Sequence, residues 1–452
     1  MIIGATVSHT YLLLLTVHIV FSQRLFVGVD TGGSGILQLT PILLVAVVPV
    51  LTLTYGSGRP VVWLLRGRGS WGVLGYAFAA MILPVLGVML NDYRPPTLLA
   101  ALEGLVPLAA LLIGSHFAAR SRDFERLFPI YFTAACVMQA VAAIAQFAHS
   151  TGWVSIALLD VMREWDMTVQ RRYSEAYIIS GRSIGMYINP NVLGIWSALA
   201  VGPALYLLRG GTRVACLMSV VATLLLSQSR TAIAAVVASG ALVALIAVWR
   251  WMLGGGRLRE AIIALGGAVG VAFIITIAAM LAIRSGPEIG VLTRMADRLQ
   301  QGYAVLVEGA DADANMRGRL DVWVDAVAFH QANPWGTLGP PQVRFPRPID
   351  SDYFRVLLQG GMLYVFLLLL ALAGGASWLW RGRSDVDVAV GMMAVAVLVC
   401  AVAAQPLATP GIGVFWLLLG YTMAGDARRS NLQYLLLTHR GSDQERPACQ
   451  AL

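Results

Sequence analysis

Charge is what this sequence has least of. Asp, Glu, Lys and Arg make up 12% of its 452 residues, against roughly 25% in a soluble domain. So small a polar complement cannot cover a folded chain in water. With 58% hydrophobic residues, much of the outside must face lipid. Lysine is absent altogether, and all 32 basic residues are arginine. The net charge of +8 therefore marks no particular site, because Arg at any one position was not chosen over Lys. It is not a nucleic-acid footprint either, since the basic residues lie between apolar runs and form no patch interleaved with aromatics. Cysteine is scarce. Cys136, Cys216 and Cys400 fall inside apolar runs and Cys449 near the C-terminus, which excludes a disulfide framework. The first apolar run lacks a basic n-region and a small-residue cleavage pattern, so it reads as a retained helix.

What is there is a succession of apolar runs, each near the roughly 20 residues that a bilayer requires. They predict an all-α polytopic membrane protein of about twelve transmembrane helices, near 5–22, 36–54, 71–90, 97–117, 128–147, 184–208, 213–228, 231–249, 260–283, 356–380, 386–405 and 411–425. Seventeen arginines fall in one set of alternate short loops and the C-terminal tail. Only Arg24, Arg94 and Arg230 fall in the short loops of the other set. Arginine enrichment marks the cytoplasmic side, so both termini are expected there. The domain division is a membrane domain over 1–425 and a cytoplasmic tail over 426–452, the latter Arg-bearing with an apolar patch at Leu435–Leu437.

Two long loops, about 148–183 and about 284–355, lie on the opposite side and carry the other twelve arginines. Basic charge there invites an anionic ligand. The second loop, between helices 9 and 10, predicts helices over 294–307 and 316–332, with Leu320, Trp323 and Val327 on one face. The run Asn333-Pro334-Trp335-Gly336 then breaks the chain. Trp153 and Trp165 in the first loop read either as interface anchors or as sugar-stacking platforms. Arg230 stands in a minimal turn between two spans, Ser227-Gln228-Ser229-Arg230-Thr231. It either snorkels to headgroups or clamps an anion at a helix start. Three Asp-x-Asp pairs, Asp311/Asp313, Asp350/Asp352 and Asp385/Asp387, are discounted as metal sites. The first two face away from the cytoplasm, where nucleotide sugars are, and the third opens a helix, where acidic residues are ordinary.

Four motifs now share a resemblance. Arg182-Ser183-Ile184-Gly185-Met186-Tyr187-Ile188-Asn189-Pro190-Asn191-Val192-Leu193-Gly194 resembles the stretch that enters a mid-chain helix in the O-antigen ligase/polymerase superfamily. Ser229-Arg230-Thr231-Ala232 resembles that family's short motif two helices later. Arg319-Leu320-Asp321-Val322-Trp323 with Asn333-Pro334-Trp335-Gly336-Thr337-Leu338-Gly339 resembles its large periplasmic loop. Asp350-Ser351-Asp352-Tyr353, running to Gly360-Gly361, resembles that loop's end. The motifs occur in order over 182–361; the rest of the chain matches only in hydropathy.

The resemblance implies an inverting glycosyltransferase of the bacterial inner membrane, without metal or cofactor. It would take a glycan from an undecaprenyl-pyrophosphate carrier on the periplasmic face and pass it to a hydroxyl on another glycan, on lipid A core or on a protein. By position in the motifs, Arg230 and Arg319 are assigned to the pyrophosphate. Arg317 is two residues away and inseparable from Arg319 by spacing, and Arg182 is a third candidate. Asn191 and Tyr353 are assigned to substrate binding. Family ligases carry His, then Asn, where this chain has Asp350 and Ser351, a departure that favours a polymerase. Asp350 is the first candidate for the base, Asp352 the second and His330 the third; the structural alternative for Asp350 is an ion pair with Arg347 or Arg355. Expected partners are the lipid-linked oligosaccharide, a glycan or lipid acceptor, membrane lipids and a chain-length regulator. Readings of another class are a secondary transporter or a lipid-linked glycan flippase. No repeat relates the two halves of the chain, and His18 and Glu103 are the notable ionisable groups in the spans, which weighs against a transporter.

Overall fold

A computed structural model describes residues 2–21, 26–27, 37–38, 59–90, 95–150, 153–154, 182–253, 314–381 and 384–444, apart from single positions within these ranges and a few isolated ones outside them. The helices are α1 (Ile2–Phe21), α2 (Arg59–Arg66), α3 (Ser70–Leu90), α4 (Pro95–Ala119), α5 (Ser121–Ser150), α6 (Pro190–Tyr206), α7 (Gly210–Ser227), α8 (Arg230–Met252), α9 (Ala314–Ala332), α10 (Asp352–Arg381), α11 (Asp385–Ala403) and α12 (Ile412–Gln444). A two-residue antiparallel pairing of Phe26–Val27 with Leu37–Gln38 lies between α1 and α2. The protein is an all-α polytopic membrane protein. Six of these helices are long and apolar enough to cross a bilayer, and His9–Val20 and Gly104–Ala119 are shorter apolar helices.

Ten predicted spans coincide with described helices. Apart from the paired residues Leu37–Gln38 and a few isolated positions, the spans at 36–54 and 260–283 and the loop helix at 294–307 lie outside the described residues, as does most of the first long loop, with Trp165. Two boundaries moved. The span expected from residue 184 begins at Pro190, because 183–187 is held in a non-helical turn. The last span continues as one helix through the first part of the tail.

α6 and α11 are apolar on nearly every side and largely buried, with Trp196, Val390 and Val397 fully enclosed. A helix of that kind belongs at the centre of a bundle. α11 packs against α6, α8 and α10; α10 packs in turn against α3, α3 against α4 and α4 against α12; α1 and α7 flank α5. In lipid no hydrophobic force draws helices together, so close backbone approach at small residues takes its place. A Cβ on Gly420 would overlap the Leu111 carbonyl, and one on Gly114 would overlap the Leu417 carbonyl, so α4 and α12 touch backbone to backbone at both points. Beside them Phe128 stacks on Phe124 at 4.9 Å and Phe124 on Tyr421 at 4.5 Å.

The α4–α12 contact predicts that Gly420→Leu destabilises the bundle by about 1–3 kcal/mol through overpacking, lowering the unfolding temperature of the solubilised protein. Gly425→Leu on the same helix, where added atoms meet open space, should leave that temperature unchanged.

Candidate functional site

Residues from four elements converge at one end of the bundle. Gly202, near the end of α6, lies against Ala389 at the start of α11, so the two helices are antiparallel and the start of α6 is level with the end of α11. The start of α10 is at that same end, because the Ser351 hydroxyl donates to Ala401 O at 2.9 Å and the Asp352 amide to Ala404 O at 3.1 Å. Gly194 of α6 sits against Ser229 and Ala232, which brings the start of α8 to this end as well.

The turn before α6 is built by two glutamines of α5. Gln146 Oε1 accepts from the amides of Ile184 and Gly185 at 3.0 and 2.9 Å, and its Nε2 donates to Gly185 O at 2.6 Å. Gln139 Oε1 accepts from the Met186 amide at 3.0 Å. These bonds satisfy backbone groups that neither helix nor lipid can satisfy. Gly185 is required because its φ is +60° and a Cβ would press on Gln139 Oε1. The turn fixes Arg182. Its Nε donates to Ser227 O at 3.1 Å and its Nη2 to Asn191 Oδ1 at 3.1 Å, and the residue is 6% exposed. Asn189 caps α6 by accepting from the Asn191 amide at 2.8 Å, with Pro190 at the first helical position. Arg182 thus ties Asn191 to the turn that ends α7. Two residues beyond that turn Ser229 caps α8, and the half-buried Arg230 is its first residue.

The second half of the site hangs on a break in α10. Gly360 and Gly361 are non-helical there, which frees the carbonyls of Leu358 and Gln359. Thr337 N donates to Leu358 O at 2.7 Å and Leu338 N to Gln359 O at 2.9 Å. Gly336 and Gly361 have φ of +71° and +68°, and a Cβ on either would overlap Leu358 O or Pro334 O. The glycines of the loop motif therefore lock loop to membrane helix. A small core of Ala326, Phe345, Ile349 and Leu358 completes the joint. It presents one face of α9 to the head of α10, where Trp323 stacks on Phe354 at 5.1 Å.

On that face Arg319 Nε lies 3.2 Å from Asp350 Oδ2. The contact is an ion pair without an aligned hydrogen bond; the Nε, the Trp323 Nε1 and the His330 Nδ1 are buried on α9 and have no hydrogen-bond partner. Asp350 remains 55% exposed. Arg317 is exposed, since two residues turn a helix by about 200°, so the structure separates the two arginines that spacing left together.

The other carboxylates are occupied differently. Asp352 is fully buried, its Oδ1 accepting from Arg355 Nε at 2.7 Å and its Oδ2 from the Leu407 amide at 2.6 Å. Arg347 pairs with Asp325 at 2.6 Å. Asp350 thus pairs with neither of the two arginines considered in the sequence. Tyr353 donates its hydroxyl to Leu398 O at 2.9 Å. His330 stands beside Gly361, about 16 Å along α9 from Arg319 at 1.5 Å per residue. Asp387 forms a capping box with Ser384, while Asp311 and Asp313 lie outside the described residues.

Gln139 and Gln146 were not singled out in the sequence, and Arg355 was considered there only as a partner for Asp350. The glutamines did carry a signal: polar residues seven apart, two turns along one face of an apolar helix.

The site belongs to a polytopic membrane protein whose sequence motifs are loop-to-helix joints at one bundle end. Residues 214–369, about a third of the chain, match the O-antigen ligase family model, a domain match that supports the resemblance to the O-antigen ligase/polymerase superfamily. The matched stretch contains Arg230, Arg319, Asp350 and the Gly360–Gly361 break. No curated protein matches the chain.

The joint predicts that Gly361→Ala, strained by about 1–3 kcal/mol at positive φ, releases the 336–339 segment. Amide exchange at Thr337 and Leu338 should accelerate while the centres of α6 and α11 keep their protection. Gly318→Ala, with open space around it, should leave those amides as they are.

Proposed function

We propose that the protein is a glycan polymerase. It would transfer an oligosaccharide from an undecaprenyl-pyrophosphate carrier to a hydroxyl of an acceptor glycan, with inversion at the anomeric carbon, on the periplasmic face of a bacterial inner membrane. The match of residues 214–369 to the O-antigen ligase family model supports the reaction type. The observation that carries the reading is the meeting of Arg319 and Asp350 at 3.2 Å, at the bundle end where α8 begins with Arg230.

In this mechanism the acceptor oxygen attacks the anomeric carbon as the bond to the carrier's pyrophosphate breaks. Charge accumulates on the departing pyrophosphate, and preorganised cations lower the barrier there. Arg230, at a helix start with its amides, supplies one, and Arg319 from the loop supplies the second. Asp350, exposed enough to meet a hydroxyl, takes the proton that the acceptor loses. Arg182 acts one step back by holding Asn191 and the end of α7. Asp350 at the position where family ligases carry His favours the polymerase over the ligase. The arginine distribution supports cytoplasmic termini and a periplasmic site, and a chain-length regulator is the protein partner that a polymerase calls for.

Charged hydrogen bonds are worth about 1.5–3 kcal/mol each, or about 10- to 150-fold in rate. Arg230→Ala and Arg319→Ala should each slow glycan assembly within that range. Gel banding of the cell-surface glycan then identifies the reaction: loss of a polymerase leaves single repeats on lipid A core, and loss of a ligase leaves long chains stranded on the carrier. Unchanged banding in both variants, at normal protein levels in the membrane, contradicts the proposal.

A further inference from the structure

A cavity of about 170 Å³ opens among α1, α3, α4, α10 and the loop between α11 and α12, with Gly339 of the large loop on its wall. It holds none of the residues assigned above to the reaction. Its polar lining includes Arg355, Gln359, Tyr76, Tyr364, His18 and Thr409. Arg355 and Gln359 are one turn apart on the same face of α10.

A buried Arg–Asp pair is ordinarily a closed unit, but this one is asymmetric. Both oxygens of Asp352 are used, one by Arg355 Nε and one by the Leu407 amide. A guanidinium carries five N–H donors, and only the one on Nε is spent on Asp352. The pair is neutral in sum yet rich in donors, and it lines the cavity beside the Gln359 amide and two phenols. Such a lining suits a ligand that offers many acceptor oxygens. Its volume falls below the roughly 300–1,000 Å³ of a drug-sized site, which leaves space for a single ring.

Its position gives the ligand a role. α10 contacts α3 and α11, which make no substantial contact with each other, so they lie on different flanks of it. Arg230 is reached through α11 and α8; the cavity is on the α3 flank, and Asp350 stands two residues before the start of α10, the helix that carries Arg355 and Gln359. We propose that this cavity is a sugar subsite for the acceptor glycan, one ring of which is held by Arg355 and Gln359 while its neighbour presents a hydroxyl to Asp350. This inference rests on the glycosyltransferase reading for the ring's role; that the cavity binds a sugar is read independently of it.

The test uses the full-length protein in nanodiscs and saturation-transfer NMR, with methyl glucoside, methyl glucuronide and glycerol 3-phosphate as probes. The wild type should transfer saturation to at least one glycoside, the preferred one showing whether the ring is neutral or acidic. Gln359→Leu, and Arg355→Lys, which keeps a cation beside Asp352, should weaken that binding about 3- to 10-fold, as expected for lost hydrogen bonds. Arg230→Ala should leave it intact, which separates this subsite from the proposed pyrophosphate clamp. Failure of the glycan-banding experiment would remove the catalytic reading without altering these spectra. Transfer to glycerol 3-phosphate but to neither glycoside would make the cavity a lipid-headgroup site and overturn the proposal. So would glycoside binding that both lining variants leave unchanged.

Discussion

The arrangement depends on one interruption in a membrane helix. At Gly360–Gly361 α10 abandons its own hydrogen-bond ladder, and the carbonyls of Leu358 and Gln359 are taken by Thr337 and Leu338 of the large loop. Inside a bilayer a freed carbonyl costs several kcal/mol unless something else satisfies it. Break and loop segment are therefore mutually required. Without the break the loop has nothing to bind, and without the loop the break is a defect. The two positive-φ glycines, Gly336 and Gly361, are what allow the backbones to approach this closely.

From that joint the rest follows by geometry. The 336–339 segment fixes the end of α9, the small core around Ala326 and Phe345 fixes its rotation, and the rotation sends Arg319 toward Asp350 and Arg317 away. On the opposite flank the same need for backbone partners is met by Gln139 and Gln146, which hold the turn that carries Arg182. Arg182 is thus mounted on non-helical backbone at one end of the membrane domain, and Arg319, on α9, is oriented by the non-helical segment that follows its helix. That backbone is tolerated because protein groups, not lipid, satisfy it.

The sequence displayed the helices and the motifs more openly than it displayed what the motifs do. Apolar run length located each described span, since lipid imposes a length that few other environments impose. The start of α6 escaped this reading because Ile184, Met186 and Tyr187 are apolar in composition but turn-forming in context; the deciding partners lie some forty residues earlier, on α5. In the sequence, Asp350 ranks above Asp352 only by its place in the motif. Only the fold shows one pairing with an arginine from the loop while exposed, and the other buried between Arg355 and the Leu407 amide. The glycines of the loop motif read as part of a family pattern in the sequence, and in the structure they are the points of backbone contact.

The central claim is that Arg319 and Asp350 act as one unit in transfer, brought together by the loop joint. A double-mutant cycle on the transfer rate of the purified protein, with Arg319→Gln, Asp350→Asn and the double variant, measures this directly. Residues in one charge network couple by about 0.5–3 kcal/mol. The account predicts coupling in that range, the double variant being little slower than the slower single one. Losses that simply add would show that the two residues act apart and would contradict it.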